Sequence, residues 1–205
     1  MDINTLPGSG IVAVARRAFA MPDIEFLCFG ESDQPSPPAA RAAAVAALEA
    51  GFTRYPDVRG IPPLRDALAG YLTGLHVKPV TEDRIQVTAS GMAAVSIALA
   101  AILRPGDRVV LHSPIWPNIV NAVHLRGGEV ATLDLIAEPE GSFRLDLDRL
   151  DTLLAGARAF ILNSPNNPTG WTATRDELQA ILELARRHHG WLISDEVYSR
   201  LIYTG

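Results

Sequence analysis

Asn163-Ser-Pro-Asn-Asn-Pro-Thr-Gly170 is a short polar octet set between two apolar segments. Before it, Arg158-Ala-Phe-Ile-Leu-Asn163 reads as a buried strand, a continuous apolar run ending at a turn signal. After it, Thr174-Arg-Asp-Glu177 has the form of a capping box, and Leu178, Ile181, Leu182 and Ala185 follow at helical spacing. The octet is thus predicted to be a strand-to-helix loop, the place where open α/β sheets bind their ligands. Pro165 and Pro168 each fix φ and remove a backbone donor, so the loop is stiff and Asn167 is an amide on a rigid support. Asn167–Pro168 is a candidate cis bond, with Ser113–Pro114 a second, because the cis form costs only about 0.5–1 kcal/mol before proline. A Pro/Asn turn of this length also occurs with no ligand at all, and a second group of residues is needed to decide.

That group is Trp191-Leu-Ile-Ser-Asp195, another predicted buried strand, with Asp195-Glu-Val-Tyr198 at its end. N-N-P-T-G followed by S-D-E-V-Y resembles the class I/II aminotransferases, pyridoxal-phosphate enzymes of fold type I. The resemblance implies roles for three residues. Asn167 would hydrogen-bond the phenolate oxygen of the cofactor ring, Asp195 would pair with the pyridinium nitrogen, and Tyr198 would also reach the phenolate. The chemistry has a clear need for such an aspartate, since a carboxylate at that nitrogen keeps the ring protonated and able to act as an electron sink.

Composition is that of a soluble globular protein. The 205 residues allow a domain with a sizeable core, 48% are apolar and 20% charged, and the net charge is −5. No basic stretch points to nucleic acid, and no apolar run reaches the roughly 20 residues of a membrane span. The single cysteine, Cys28, lies in Phe26-Leu-Cys-Phe29, expected to be a short buried strand; it excludes an intramolecular disulfide and suits a reducing compartment. Asp2 and the lack of early basic residues argue against a secretory signal, so the cytoplasm is expected.

Further segments match the family in chain order. Gly30-Glu-Ser-Asp33 and the prolines after it are similar to a segment lining the substrate side, which makes the Gly30 backbone and Asn167 candidate substrate contacts. Tyr55-Pro-Asp-Val-Arg-Gly60 followed by Leu64-Arg65 matches a pattern whose tyrosine reaches across a homodimer to the partner's cofactor phosphate, a role Tyr55 would inherit. A lone tyrosine before a turn is otherwise simply packed. Ile85-Gln-Val-Thr88 is predicted as a strand, turning through Ala89-Ser-Gly-Met92 into the apolar helix Ala93 to Leu103. Free amides at such a helix start attract anions, so Ser90, Gly91 and Met92 are the candidate phosphate site. Trp116, in Ser113-Pro-Ile-Trp-Pro-Asn118, takes the place of the family's aromatic stacked on the cofactor ring. Without the family it would equally be a core tryptophan. Strands are also expected at Arg108 to His112, Gly128 to Leu135 and Phe143 to Leu147. His188-His189 closes a helix and is expected to be exposed there; no metal site is assigned.

The expected fold is therefore α/β, a three-layer, mostly parallel sheet covered by helices. Residues 1–29 would form an N-terminal arm and small-domain segment, and 30–205 the large cofactor-binding domain. Lys78 is the one lysine in the sequence and matches no family position. The family's Schiff-base lysine lies in a later segment, so no catalytic residue is assigned and the chain is expected to be the N-terminal half of such an enzyme, inactive by itself. The implied reaction moves an amino group between an amino acid and a 2-oxo acid. A β-elimination or carbon–sulfur lyase of the same fold shares these motifs, and a non-catalytic cofactor-binding fragment is the third reading.

Overall fold

A computed structural model describes residues 10–27, 29–30, 32–76 and 78–203. The described residues within Pro7–Thr88 form one compact unit and those within Ala89–Gly205 another. The packing boundary thus falls at 88/89, whereas the sequence reading places a division at 29/30.

The second unit is built on a four-stranded parallel sheet. Its strands are β1 (Arg108–Ser113), β2 (Glu129–Asp134), β5 (Ala159–Asn163) and β6 (Trp191–Asp195), in the order β2-β1-β5-β6. All five residues of β5 are buried, as are Val109 to His112 of β1, which is why both read as continuous apolar runs. Successive side chains leave a strand on opposite faces, and the core divides accordingly. On one face α4 (Gly91–Ile102) and α5 (Pro117–Leu125) set Val95, Leu99, Ile119 and Val123 onto Val109, Leu111, Ala159 and Ile161. On the other, α6 (Leu147–Leu154) and α7 (Arg175–Arg187) set Leu150, Leu154, Ile181 and Leu184 onto Val110, Phe160 and Leu162. The result is the expected helix–sheet–helix sandwich.

Chain order runs from β1 outward to β2 on one side, and then to β5 and β6 on the other. The direction of winding reverses between β1 and β5, and ligands of open α/β sheets lie outside the carboxyl ends of the strands at such a point.

The capping box forms as expected: Thr174 Oγ1 accepts from Glu177 N at 3.2 Å, and Glu177 Oε2 accepts from Thr174 N at 2.7 Å. Ser113–Pro114 and Asn167–Pro168 are both cis, as is Ser164–Pro165, which the sequence reading did not name.

The first unit holds α1 (Gly10–Ala18), α2 (Pro38–Glu49), α3 (Pro62–Leu75) and a 3-10 turn at Glu82–Arg84. Two strands expected here are not formed, because no strand lies alongside either segment among the described residues. Phe26, Leu27 and Phe29 are exposed, Leu27 at 92%, and Phe26 and Phe29 pack on Phe19 at ring-centroid distances of 5.3 and 6.2 Å. Cys28 lies outside the described residues. Ile85 to Thr88 is extended but outside any sheet, its Val87 N–H taken by Arg59 O at 2.9 Å. Phe143 to Leu147 is shorter than expected: only β4 (Phe143–Arg144) pairs, antiparallel with β3 (Ile136–Ala137). Asp146 ends it, because its side chain accepts from Arg149 N at 2.9 Å and starts α6 instead.

Among the described residues no helix is long and apolar enough to cross a membrane, and no group of three or more His, Cys, Asp or Glu is arranged to hold a metal. His189 is exposed at the end of α7, but His188 is half-buried and hydrogen-bonded to Asp151 of α6, which departs from the expected exposed pair. Its partner, rather than the helix dipole alone, fixes it there.

Candidate functional site

The carboxyl ends of β1, β5 and β6 each carry a predicted site residue. β1 leads into Trp116, which is half-buried, caps the start of α5 and packs against the core layer under α4 and α5. β5 leads into the octet with Asn167, and β6 ends at Asp195, directly in register with Asn163. α4 runs from Gly91 down to the turn before β1, so its N-terminus returns to this same edge of the sheet. Ser90 caps it, Oγ accepting from Ala93 N at 3.1 Å. The first-turn amides of Gly91 and Met92 have no intrahelical partner, a concentration of positive potential that suits an anion. The Met92 side chain packs into the core, which leaves its amide unaffected.

Two candidates meet directly: Asn167 Nδ2 donates to Tyr198 Oη at 3.4 Å, across 31 residues of sequence. Asp195 is half-buried, and its Oδ1 accepts from Val197 N at 3.3 Å. The neighbouring Glu196 is exposed and engaged elsewhere, accepting from Ser194 Oγ at 2.8 Å. Gly30 and Tyr55 belong to the other compact unit, both exposed. There the loop from Tyr55 to Gly60 is tied by Arg65, which is only 3% exposed. Arg65 Nε donates to Gly60 O at 3.1 Å, and the guanidinium lies 3.1 Å from Glu82 Oε2 and 3.8 Å from Asp57 Oδ2. Gly60 has φ of +103°, and a Cβ there would meet Val87 Cγ2 at 2.5 Å, so no other residue fits without a shift.

Three buried polar residues behind the edge were not singled out by sequence. Asn163 is 2% exposed and spans two strands: its Oδ1 accepts from Asn167 N at 2.9 Å, and its Nδ2 donates to Asp195 O at 3.2 Å. Its own N–H donates to His112 Nε2 at 3.0 Å, which requires that nitrogen to be unprotonated. His112 is fully buried against the edge of Trp171, ring centroids 5.6 Å apart, and burial pushes its imidazole down to about 4. Asn166, also buried, donates through Nδ2 to Pro114 O at 3.1 Å and so ties the octet to the loop carrying Trp116. The only sequence signal for any of them is a polar residue at the end of a buried run.

The family model for aminotransferase class I and II matches residues 22–205. The chain belongs to that family. Among the chain's relatives, the aspartate aminotransferase of Thermotoga maritima is 34% identical over 207 residues, 98% of this chain and 54% of that protein. The aspartate/prephenate aminotransferase of Thermus thermophilus is 35% identical over 208 residues, 99% of this chain and 54% of that one. A double mutant of the Thermus thermophilus aspartate aminotransferase superposes with a TM-score of 0.92 at 35% identity, over 99% of this chain and 54% of that structure. The chain spans about half the length of the curated relatives it matches.

The family's cofactor is pyridoxal phosphate, and the donor set at the sheet edge fits it. There are unpaired amides for a phosphate, a half-buried indole for a flat ring, a carboxylate at a strand end, and an amide–phenol pair for a ring oxygen.

Proposed function

We propose that this chain forms the cofactor-binding part of a pyridoxal-phosphate-dependent aminotransferase that moves an amino group between an amino acid and a 2-oxo acid. The observation that carries the reading is the meeting of Asn167 with Tyr198 at the carboxyl edge where Asp195 ends β6 in register with Asn163. In this reading the amides of Gly91 and Met92, with the Ser90 hydroxyl, bind the phosphate, and the Trp116 face covers the ring and excludes water. Asp195 holds a proton at the ring nitrogen, while Asn167 and Tyr198 donate to the ring oxygen. Bound there, the cofactor supplies an electron sink for the substrate's α-carbon. The Gly30 backbone and Asn167 orient the substrate, and Tyr55 serves the phosphate of the partner in a homodimer.

The names of the relatives above support an aspartate-type amino donor, and none of them is a lyase. Lys78 is exposed on a connecting segment, so the amine that anchors the cofactor covalently is assigned to none of these residues. The cytoplasm is the assigned compartment.

Asp195→Ala and Glu196→Ala separate this reading from a mere structural likeness. Truncating Asp195 should weaken cofactor binding in a fluorescence titration by about 1.5–3 kcal/mol, the worth of a charge-assisted hydrogen bond, and truncating Glu196 should change it little. Equal losses from the two variants would remove the assignment of Asp195.

A further inference from the structure

Asn163 is hydrogen-bonded to three other residues, Asn167, Asp195 and His112, and none of the cofactor contacts proposed above includes it. It lies at the last position of β5, 2% exposed, and each of its polar side-chain atoms is directed to a different segment. Oδ1 receives the backbone N–H of Asn167, four residues along the octet, and Nδ2 reaches the carbonyl of Asp195 on β6. Ser164 N also donates to that carbonyl at 3.2 Å, so β5 and β6 are clamped together at the point where both candidate ring contacts emerge. Behind the clamp His112 Nε2 takes the Asn163 N–H, which connects the junction to β1 as well. Pro165 and Pro168 cannot donate from their backbone, and Asn166 N is committed to Trp171 O at 2.8 Å. The Asn163 amide is thus the group through which the octet holds the Asn167 backbone against β6.

We propose that Asn163 is a positioning residue for the cofactor ring, seated by His112. By fixing the Asn167 backbone to one side-chain atom and the Asp195 carbonyl to the other, it sets the separation between the donor for the ring oxygen and the carboxylate for the ring nitrogen. A hydrogen bond weakens as its length and angle leave the preferred range, so a displaced donor or carboxylate holds the ring less well. Asn163 touches no cofactor atom in this scheme and acts only through its neighbours. The inference rests on the functional reading above.

The test is a double-mutant cycle on the full chain, read as dissociation constants for pyridoxal phosphate by fluorescence quenching, with far-UV circular dichroism as the check on folding. Asn163→Ala is expected to raise the dissociation constant about tenfold or more in the wild-type background, and less than about threefold when Asn167 is already alanine. Asn163→Asp keeps the acceptor for Asn167 N but places a second oxygen against the Asp195 carbonyl, and should give an intermediate loss. If Asn163→Ala does not fold, the Asp variant carries the cycle alone with the same expected non-additivity. Additive losses, or an unchanged dissociation constant in a folded variant, would overturn the inference while leaving Asp195→Ala to uphold the functional reading. No binding by the wild-type chain would overturn both.

Discussion

His112 is neutral in the fold because burial opposes its charged form, and its folded value of about 4 lies below the ordinary 6.5. The unfolded chain takes up this proton below about pH 6.5, whereas the folded chain does not until about pH 4. The stability His112 contributes is therefore fully present above pH 6.5 and is lost progressively as pH falls to about 4. That amounts to on the order of 3 kcal/mol at roughly 1.4 kcal/mol per pH unit. Urea unfolding at a series of pH values should show this slope in the wild type and a shallower one in His112→Gln, whose side-chain oxygen can still accept the Asn163 N–H. Parallel slopes would mean that other groups carry the acid sensitivity. The strand-end places of Asn167 and Asp195 were legible in sequence because each lies at or just after an apolar run, although only β5 is buried throughout: β6 is half-exposed, with Trp191 at 54%, against the buried strand expected there. The parts played by His112 and Asn163 were not legible, since their partners lie 51 and 32 residues away and nothing local marks a polar side chain that is satisfied across a sheet.

At the scale of elements, α7 has both halves of its N-terminal cap, and its buried face rests on Ile181, Leu184 and Ala185. Thr174→Ala removes the acceptor for Glu177 N and should cost about 1 kcal/mol in denaturant unfolding, with the unfolding slope unchanged. A loss below a few tenths of a kilocalorie would show that packing alone holds the start of this helix. Helices were read well from sequence because their apolar spacing and caps are local. The strands that failed, Phe26 to Phe29 and Ile85 to Thr88, failed because a strand needs a neighbour, and the apolar content of a four-residue run does not say whether one is there.

Across the whole cofactor-side unit, stability comes from two apolar layers on a thin sheet. Leu99 is fully buried between α4 and β1, while Ile97 on the same helix is 53% exposed. Leu99→Ala should destabilise by about 2–5 kcal/mol through lost burial and the cavity left behind, and Ile97→Ala by about 0.5 kcal/mol or less. Thermal or urea denaturation of the two variants checks the layer assignment. Similar losses would mean that α4 packs by a different face.

The sequence by itself determined the α/β class, the capped start of α7, the loop nature of Asn163 to Gly170 and, through the spacing of N-N-P-T-G and D-E-V-Y, the family. These are local signals: proline stiffness, capping chemistry and the 3.6-residue and two-residue periods are written within about ten residues of one another. Tertiary structure decided the rest. It set the strand order β2-β1-β5-β6, the reversal between β1 and β5, the meeting of Asn167 with Tyr198 and the clamp of Asn163 on Asp195. Each depends on which segments end up side by side in the sheet, and the free energy that chooses among pairings is spread over the whole core rather than held in any one stretch.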